Sequence, residues 1–238
     1  MNKYVLAILA LLVPVVLTAQ KQINDNNAEV RNVKGFHGIK VTSGIRLYLT
    51  QGSSEAVAVS ASNIEDRDRI RTEVQNGILK IYYDRKFRDI FKVKNKQLKA
   101  YVSIVDIDGL DISAGASVNV DGMLNSDKLK LDVSSGAVFK GSVNANAMNV
   151  DQSSGSVVTI AGTAGMVNID GSSGSVFRGY SLEADNCIAG VSSGAGAQIT
   201  VNKELSAEAS SGGSISYKGK GLTRRINTSS GGSVRRKG

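Results

Sequence analysis

Proline is almost missing from this chain: the only one is Pro14, inside an apolar run near the N-terminus. Every residue after it keeps a backbone N–H, so the body of the chain can donate into an unbroken β-ladder. Cysteine occurs once, as Cys187, which excludes a disulfide within the chain and leaves packing to supply the stability. Cys187 stands two residues before Ala189 in an apolar alternation and reads as a small buried hydrophobe. Histidine also occurs once, as His37 beside Phe36 and Gly38, which argues against imidazole base catalysis and multi-histidine metal sites. No Gly-x-Ser-x-Gly elbow is present, since Gly171-Ser172-Ser173-Gly174 has the wrong spacing. The glycine-rich segments are not followed by the Gly-Lys-Ser or Gly-Lys-Thr of a phosphate loop.

Glycine, by contrast, is abundant at 26 of 238 residues, and much of it is periodic. A Ser-x-Gly turn recurs with its glycine at Gly115, Gly136, Gly155, Gly174, Gly194, Gly212 and Gly231, in steps of 21, 19, 19, 20, 18 and 19 residues. Aligned on that glycine, serine stands two residues earlier in every copy, as Ser113, Ser134, Ser153, Ser172, Ser192, Ser210 and Ser229. Serine can bond its own backbone in a turn, and glycine accepts positive φ. Five residues before the glycine lies an apolar column of Leu110, Leu131, Val150, Ile169, Ala189, Ala207 and Ile226. A second runs two residues earlier through Leu129, Met148, Val167, Cys187 and Leu205. A third follows the turn as Val118, Phe139, Val158, Phe177, Ala197, Ile215 and Val234. Apolar and polar positions alternate, as strands with one buried face require.

A unit of about 20 residues with short strands cannot bury its inward side chains alone, so it must stack on its neighbours. The expected fold is all-β, a parallel β-helix whose seven short rungs, roughly 4.8 Å apart, span on the order of 35 Å. Leucine-rich repeats are excluded by the missing leucine frame, a propeller by its blade length of about 40 residues, and a helical solenoid by the period-2 alternation. Each rung reads as strand, tight turn, strand, looser return.

Met1 to Ala19, with Lys3 followed by an apolar run from Tyr4 to Leu17, reads as a signal peptide cleaved between Ala19 and Gln20. No cysteine follows the run, which argues against a lipoprotein. Residues 20–34 form a polar linker, and 35–238 one domain with regular rungs over 104–238. Before those rungs, Arg67 to Val74, the turn Asn76-Gly77 and the strand Ile78 to Tyr83 suggest longer hairpin strands that cap an open solenoid end. Arg235, Arg236 and Lys237 place charge on the last strand.

The opening Phe36-x-x-Ile39-x-Val41, the segment Gly44 to Gly52, the run Asn76-Gly77-x-Leu79-x-Ile81 and the serial Ser-Ser-Gly turns through Ser229-Ser230-Gly231 resemble the auto-transporter adhesins of the head GIN domain family (DUF2807) of Bacteroidetes. The resemblance spans about Gly35 to Gly238. It implies a right-handed, single-stranded β-helix and a role in adhesion at the cell surface, and it brings no catalytic residues with it.

Two sets of residues are candidates for chemistry. Asp111, Asp132, Asp151 and Asp170 stand four residues before the turn glycine, followed in register by Gly190, Glu208 and Asn227. Stacking brings those carboxylates to about 5 Å spacing, as in a calcium ladder or a glycosidase pair, or simply an outward polar column neutralised by nearby Lys or Arg. The second set is basic. The formal charge of +8 falls to +7 without Lys3, and Arg85, Lys86, Arg88, Lys92, Lys94, Lys96 and Lys99 cluster against only Asp84 and Asp89. Lys92, Lys94 and Lys96 would share one strand face, with Phe87 and Phe91 beside them, a pattern that suits acidic glycans or envelope lipids or, equally, a lysine-protected edge strand.

The functional expectation is an exported binding or adhesion module without enzymatic activity or cofactor, located in the periplasm, at the outer membrane or outside the cell. Its expected partners are acidic glycans or envelope components, not nucleic acid, and no transmembrane segment remains after cleavage of the leader. The alternatives are a polysaccharide-processing or calcium-dependent glycan-binding β-helix using the Asp column, and a purely structural envelope protein.

Overall fold

The computed structural model describes residues 25–85 and 96–238, so the leader expected at 1–19 lies outside the described residues. The strands are β1 (Glu29–Arg31), β2 (Gly38–Val41), β3 (Arg46–Gln51), β4 (Ala56–Ser60), β5 (Ile70–Gln75), β6 (Ile78–Tyr83), β7 (Lys99–Ile104) and β8 (Gly109–Ile112). Longer ones follow as β9 (Ser117–Val133), β10 (Val138–Gln152), β11 (Val157–Gly171), β12 (Val176–Val191) and β13 (Gly196–Ala209), then β14 (Ser214–Lys218), β15 (Leu222–Thr228) and β16 (Ser233–Arg236). One short helix, α1 (Ile64–Asp68), begins at Asn63, whose side chain accepts from the Asp66 N–H.

From β8 onward every neighbouring pair is parallel, and the register advances one repeat at a time: Leu110 on Leu131, Leu131 on Val150, Val150 on Ile169, Ile169 on Ala189, Ala189 on Ala207. The chain is a β-solenoid with rungs of about 19 residues, as the spacing required. The three apolar columns face its interior, and Val118, Phe139, Val158, Phe177, Leu129, Met148, Val167 and Leu205 are buried. Burial pushes the Cys187 thiol up to about 12, as expected of an inert core residue. Ile226, on the last rung, is 44% exposed.

The corners refine the expectation. Both central residues of each tight turn are left-handed, Ser154 at φ 53° and Gly155 at φ 70° for example, and Ser156 N–H closes the turn on the Ser153 carbonyl at 3.2 Å. Glycine occupies only one of two positive-φ positions, and Ala114 or a serine holds the other. Corners also bond to one another: Gly115 N–H donates to the Ser135 carbonyl at 3.0 Å, Gly136 to Ser154 at 2.9 Å, and so on to Gly212 and Ser230 at 3.1 Å. This backbone ladder carries the stacking at the edge where the sheet bends. The expected looser return is itself strand, because β9 to β13 run through it with bulges such as that between Thr159 and Ala161.

The N-terminal part differs in order from a simple cap. β2 and β3, joined by Thr42-Ser43-Gly44-Ile45 with Ser43 and Gly44 at positive φ, form a rung of the same kind. It stacks on β8 and β9 on one side and on β6 and β7 on the other. The cap is the outer antiparallel layer, where β5 pairs with β6, and β4 with β7 and β1. Arg67 and Asp68, expected in a strand, lie in α1, because Asn63 caps a helical turn there and β5 begins only at Ile70.

Candidate functional site

Two faces of the solenoid meet at the glycine corner, and they carry opposite charge. On the face before the corner, Asp111, Asp132, Asp151 and Asp170 occur in direct register, as the spacing required. They border a groove of about 490 Å³ that also includes Lys40, Ser134 and Ser153. Lysines answer them: Lys40 lies 2.6 Å from Asp111, and Lys130 lies 3.0 Å from Asp132 and 3.9 Å from Asp151. Partial burial and the neighbouring Asp132 carboxylate raise Asp151 above the ordinary aspartate range. The carboxylates form a line, and among the described residues no three His, Cys, Asp or Glu side chains converge as metal ligands.

Of the basic cluster around residues 85–99, Lys86, Arg88, Lys92 and Lys94 lie outside the described residues. Arg85 is exposed. Lys96 is not on a strand; it pairs with Asp66 at 3.3 Å and Tyr83 Oη at 2.7 Å, and lies over the Tyr83 ring. Burial opposes its charge, but those two partners raise it above the ordinary lysine range. Lys99 opens β7 and reaches Asp25 at 3.0 Å. Both lysines are therefore engaged in holding the N-terminal cap together.

Asp25 fastens the start of the described chain to this cap. Its carboxylate accepts from Lys99, from Tyr101 Oη at 2.9 Å and from Ser60 Oγ at 3.0 Å. Burial alone would raise it, but these bonds outweigh burial and bring Asp25 from 3.8 to about 2. Burial and the same carboxylate push Tyr101 up to about 12. The lowered carboxylate stabilises the fold fully above the unfolded value near 3.8 and loses that contribution as pH falls towards 2. Asp25→Ala should therefore cost on the order of 2 kcal/mol at pH 7. In thermal melts it should also flatten the loss of stability between pH 4 and pH 2; a variant with the same acid limb as the parent would show that this clasp does not form.

The face after the corner holds a column that the linear basic cluster had obscured. Four residues after each turn glycine stand Asn119, Lys140, Thr159, Arg178, Gln198, Ser216 and Arg235, each paired in register with the next. Upstream, Asn119 stacks on Tyr48 and Tyr48 on Tyr101, whose rings lie 5.2 Å apart and nearly parallel. Asn119, Lys140, Ser142, Thr159, Arg178, Tyr180, Ser181 and Gln198 line an open groove of about 530 Å³ that contains no carboxylate. Lys218 lies over the Tyr180 ring, 4.8 Å from its centroid. Among the described residues, neither Lys140 nor Arg178 takes an ion pair or hydrogen bond, unlike Lys40, Lys96, Lys99 and Lys130. The signal was present in the repeat as its fourth position after glycine, visible only when charge is read down the register instead of along the chain.

A solenoid with long ladders of outward side chains and two oppositely charged faces belongs to the class of repeat proteins that present extended surfaces. The model of the family described as "Putative auto-transporter adhesin, head GIN domain" matches residues 35–221, and the chain belongs to that family. No functionally curated protein matches it in sequence. Among solved structures, it is similar to a putative adhesin from Bacteroides fragilis, with TM-score 0.79 and 16% identity over 88% of this chain and 96% of the other. It is also similar to a putative adhesin from Parabacteroides distasonis, with TM-score 0.69 and 19% identity over 89% and 96% of the two chains. A putative lipid binding protein from the same species gives TM-score 0.67 and 16% identity over 90% and 98%. At these identities the likenesses show the fold. Among the described residues no helix is long and apolar enough to cross a membrane.

Proposed function

We propose that this protein is a non-enzymatic binding module of the cell envelope, which holds an acidic ligand against the face after the corner. The observation that carries this reading is the pair of cations, Lys140 and Arg178, left without partners in a carboxylate-free groove. Lys40, Lys96, Lys99, Lys130 and Lys203 are each neutralised by a carboxylate of the chain itself, and an unpaired cation on a flat sheet suits an external anion. The family description and the names of the structural neighbours, adhesins and a lipid binding protein, agree with a binding role. The leader expected at residues 1–19 and the adhesin family support export. The Asp column supports catalysis less well, because Lys40 and Lys130 already pair three of its four carboxylates, Asp111, Asp132 and Asp151.

The test is binding of the purified protein to neutral and acidic polysaccharides at low and high salt, with reducing ends measured in parallel. Saturable binding to acidic polymers, weakened by salt and without chain cleavage, is expected. Release of reducing ends would make the protein an enzyme, and no binding at any salt would leave it a structural component of the envelope.

A further inference from the structure

Resting on that reading, we infer that the groove takes an acidic polysaccharide lying along the solenoid axis, one in which charged and uncharged sugars alternate. The register carries the argument. Lys140 pairs with Thr159, and Thr159 with Arg178, so the two free cations are two rungs apart with a neutral hydroxyl between them. Rungs stack at about 4.8 Å, which places the cations on the order of 10 Å apart along the axis. That matches the length of a disaccharide repeat in an extended glycan, so the acid groups of successive repeats would meet Lys140 and Arg178 while the uncharged sugar lies over Thr159. A polymer with an acid on every unit carries an intervening acid that Thr159 offers no charge to meet.

The rest of the lining suits sugar. Asn119, Ser142, Ser181 and Gln198 offer hydroxyl and amide groups for ring hydroxyls, and no carboxylate there repels an acid. Beyond Asn119 the stacked, partly exposed Tyr48 and Tyr101 extend the same column with an apolar surface for the faces of sugar rings. Ionic contact at two rungs with hydrogen bonding between them selects by spacing, not by total charge.

The experiment compares hyaluronan, whose acid falls on alternate sugars, with polygalacturonate, whose acid falls on every sugar, at equal chain length and 150 mM salt. Hyaluronan should bind at least fivefold more tightly despite carrying half the charge per sugar, and Lys140→Ala and Arg178→Ala should each weaken it about tenfold. Thr159→Lys should narrow or reverse the preference. Equal or tighter binding of polygalacturonate, or indifference to Thr159→Lys, overturns the inference while leaving the binding reading intact. If vesicles of phosphatidylglycerol and phosphatidylcholine bind with the same dependence on Lys140 and Arg178, and hyaluronan does not bind, the ligand is a lipid surface and the glycan is ruled out. Failure of every polymer and vesicle to bind removes the reading of the groove and the inference together.

Discussion

Gly162→Ala should lower stability by about 3–5 kcal/mol, more than a change at any corner glycine of the repeat. A Cβ at Gly162 would lie 2.0 Å from the Val143 carbonyl oxygen and 3.0 Å from its carbon, so it would meet backbone that is itself fixed in the ladder. Its φ of +114° adds strain that no L-residue relieves easily. Gly155 makes the contrast. Its φ is +70°, but a Cβ there meets nothing within 4 Å, and Ser154 beside it is left-handed without being glycine. Gly155→Ala should cost about 1–2 kcal/mol, with Gly155→Val higher because its branched side chain resists that conformation. Urea denaturation of the three variants gives the order; a Gly162→Ala midpoint above that of Gly155→Ala would mean that the bulge opens freely.

Phe177→Ala should cost about 3–5 kcal/mol, and Phe139→Ala a similar amount. Both rings are fully buried in the column after the corner, and each is followed two residues later by glycine, Gly141 after Phe139 and Gly179 after Phe177. Gly179 makes room for its ring, since a Cβ there would lie 2.3 Å from Phe177 Cε1; a Cβ at Gly141 would meet Val120 Cγ2 at 2.6 Å and Phe139 Cζ at 3.1 Å. Three other rungs place a smaller residue first and a larger one second, as Val158 with Ile160, Ala197 with Ile199 and Ile215 with Tyr217, and another has valine at both positions, Val118 and Val120. In the two phenylalanine rungs the ring takes interior space beside which the second position carries no side chain. When the ring of Phe177 is removed, Gly179 has no side chain to fill the space, and hydrogen bonding to both neighbouring rungs limits collapse. Outward Val138, 39% exposed, is the control, and Val138→Ala should change stability by no more than about 0.5 kcal/mol. A Phe177→Ala variant within that same range would show that the ring does not fill the core.

Much of this architecture was legible because a solenoid repeats its solution. A turn glycine, a serine before it and apolar residues at fixed offsets recur in each rung, so one alignment places the core, the corners and the Asp column together. The position of the first rung was harder to read. Val41-Thr42-Ser43-Gly44-Ile45 has the corner pattern, but β6 and β7 come later in the chain and stack outside it, an order set by long-range pairing. The helix at Ile64–Asp68 was missed because a single Asn63 cap is a weak signal beside alternating charged residues.

The sequence by itself determined the period, the inward columns and the line of aspartates, because these follow from side-chain alternation and the need of each rung to stack. Only the tertiary structure decided which charges remain free. Lys96 and Lys99 look available in a linear basic run, yet Asp66 and Asp25, distant in the chain, neutralise them. Lys140 and Arg178, isolated from other cations along the chain, stand two rungs apart and unpaired in one groove. Ion pairing depends on distances of a few ångströms between residues far apart in sequence, and folding alone sets those distances.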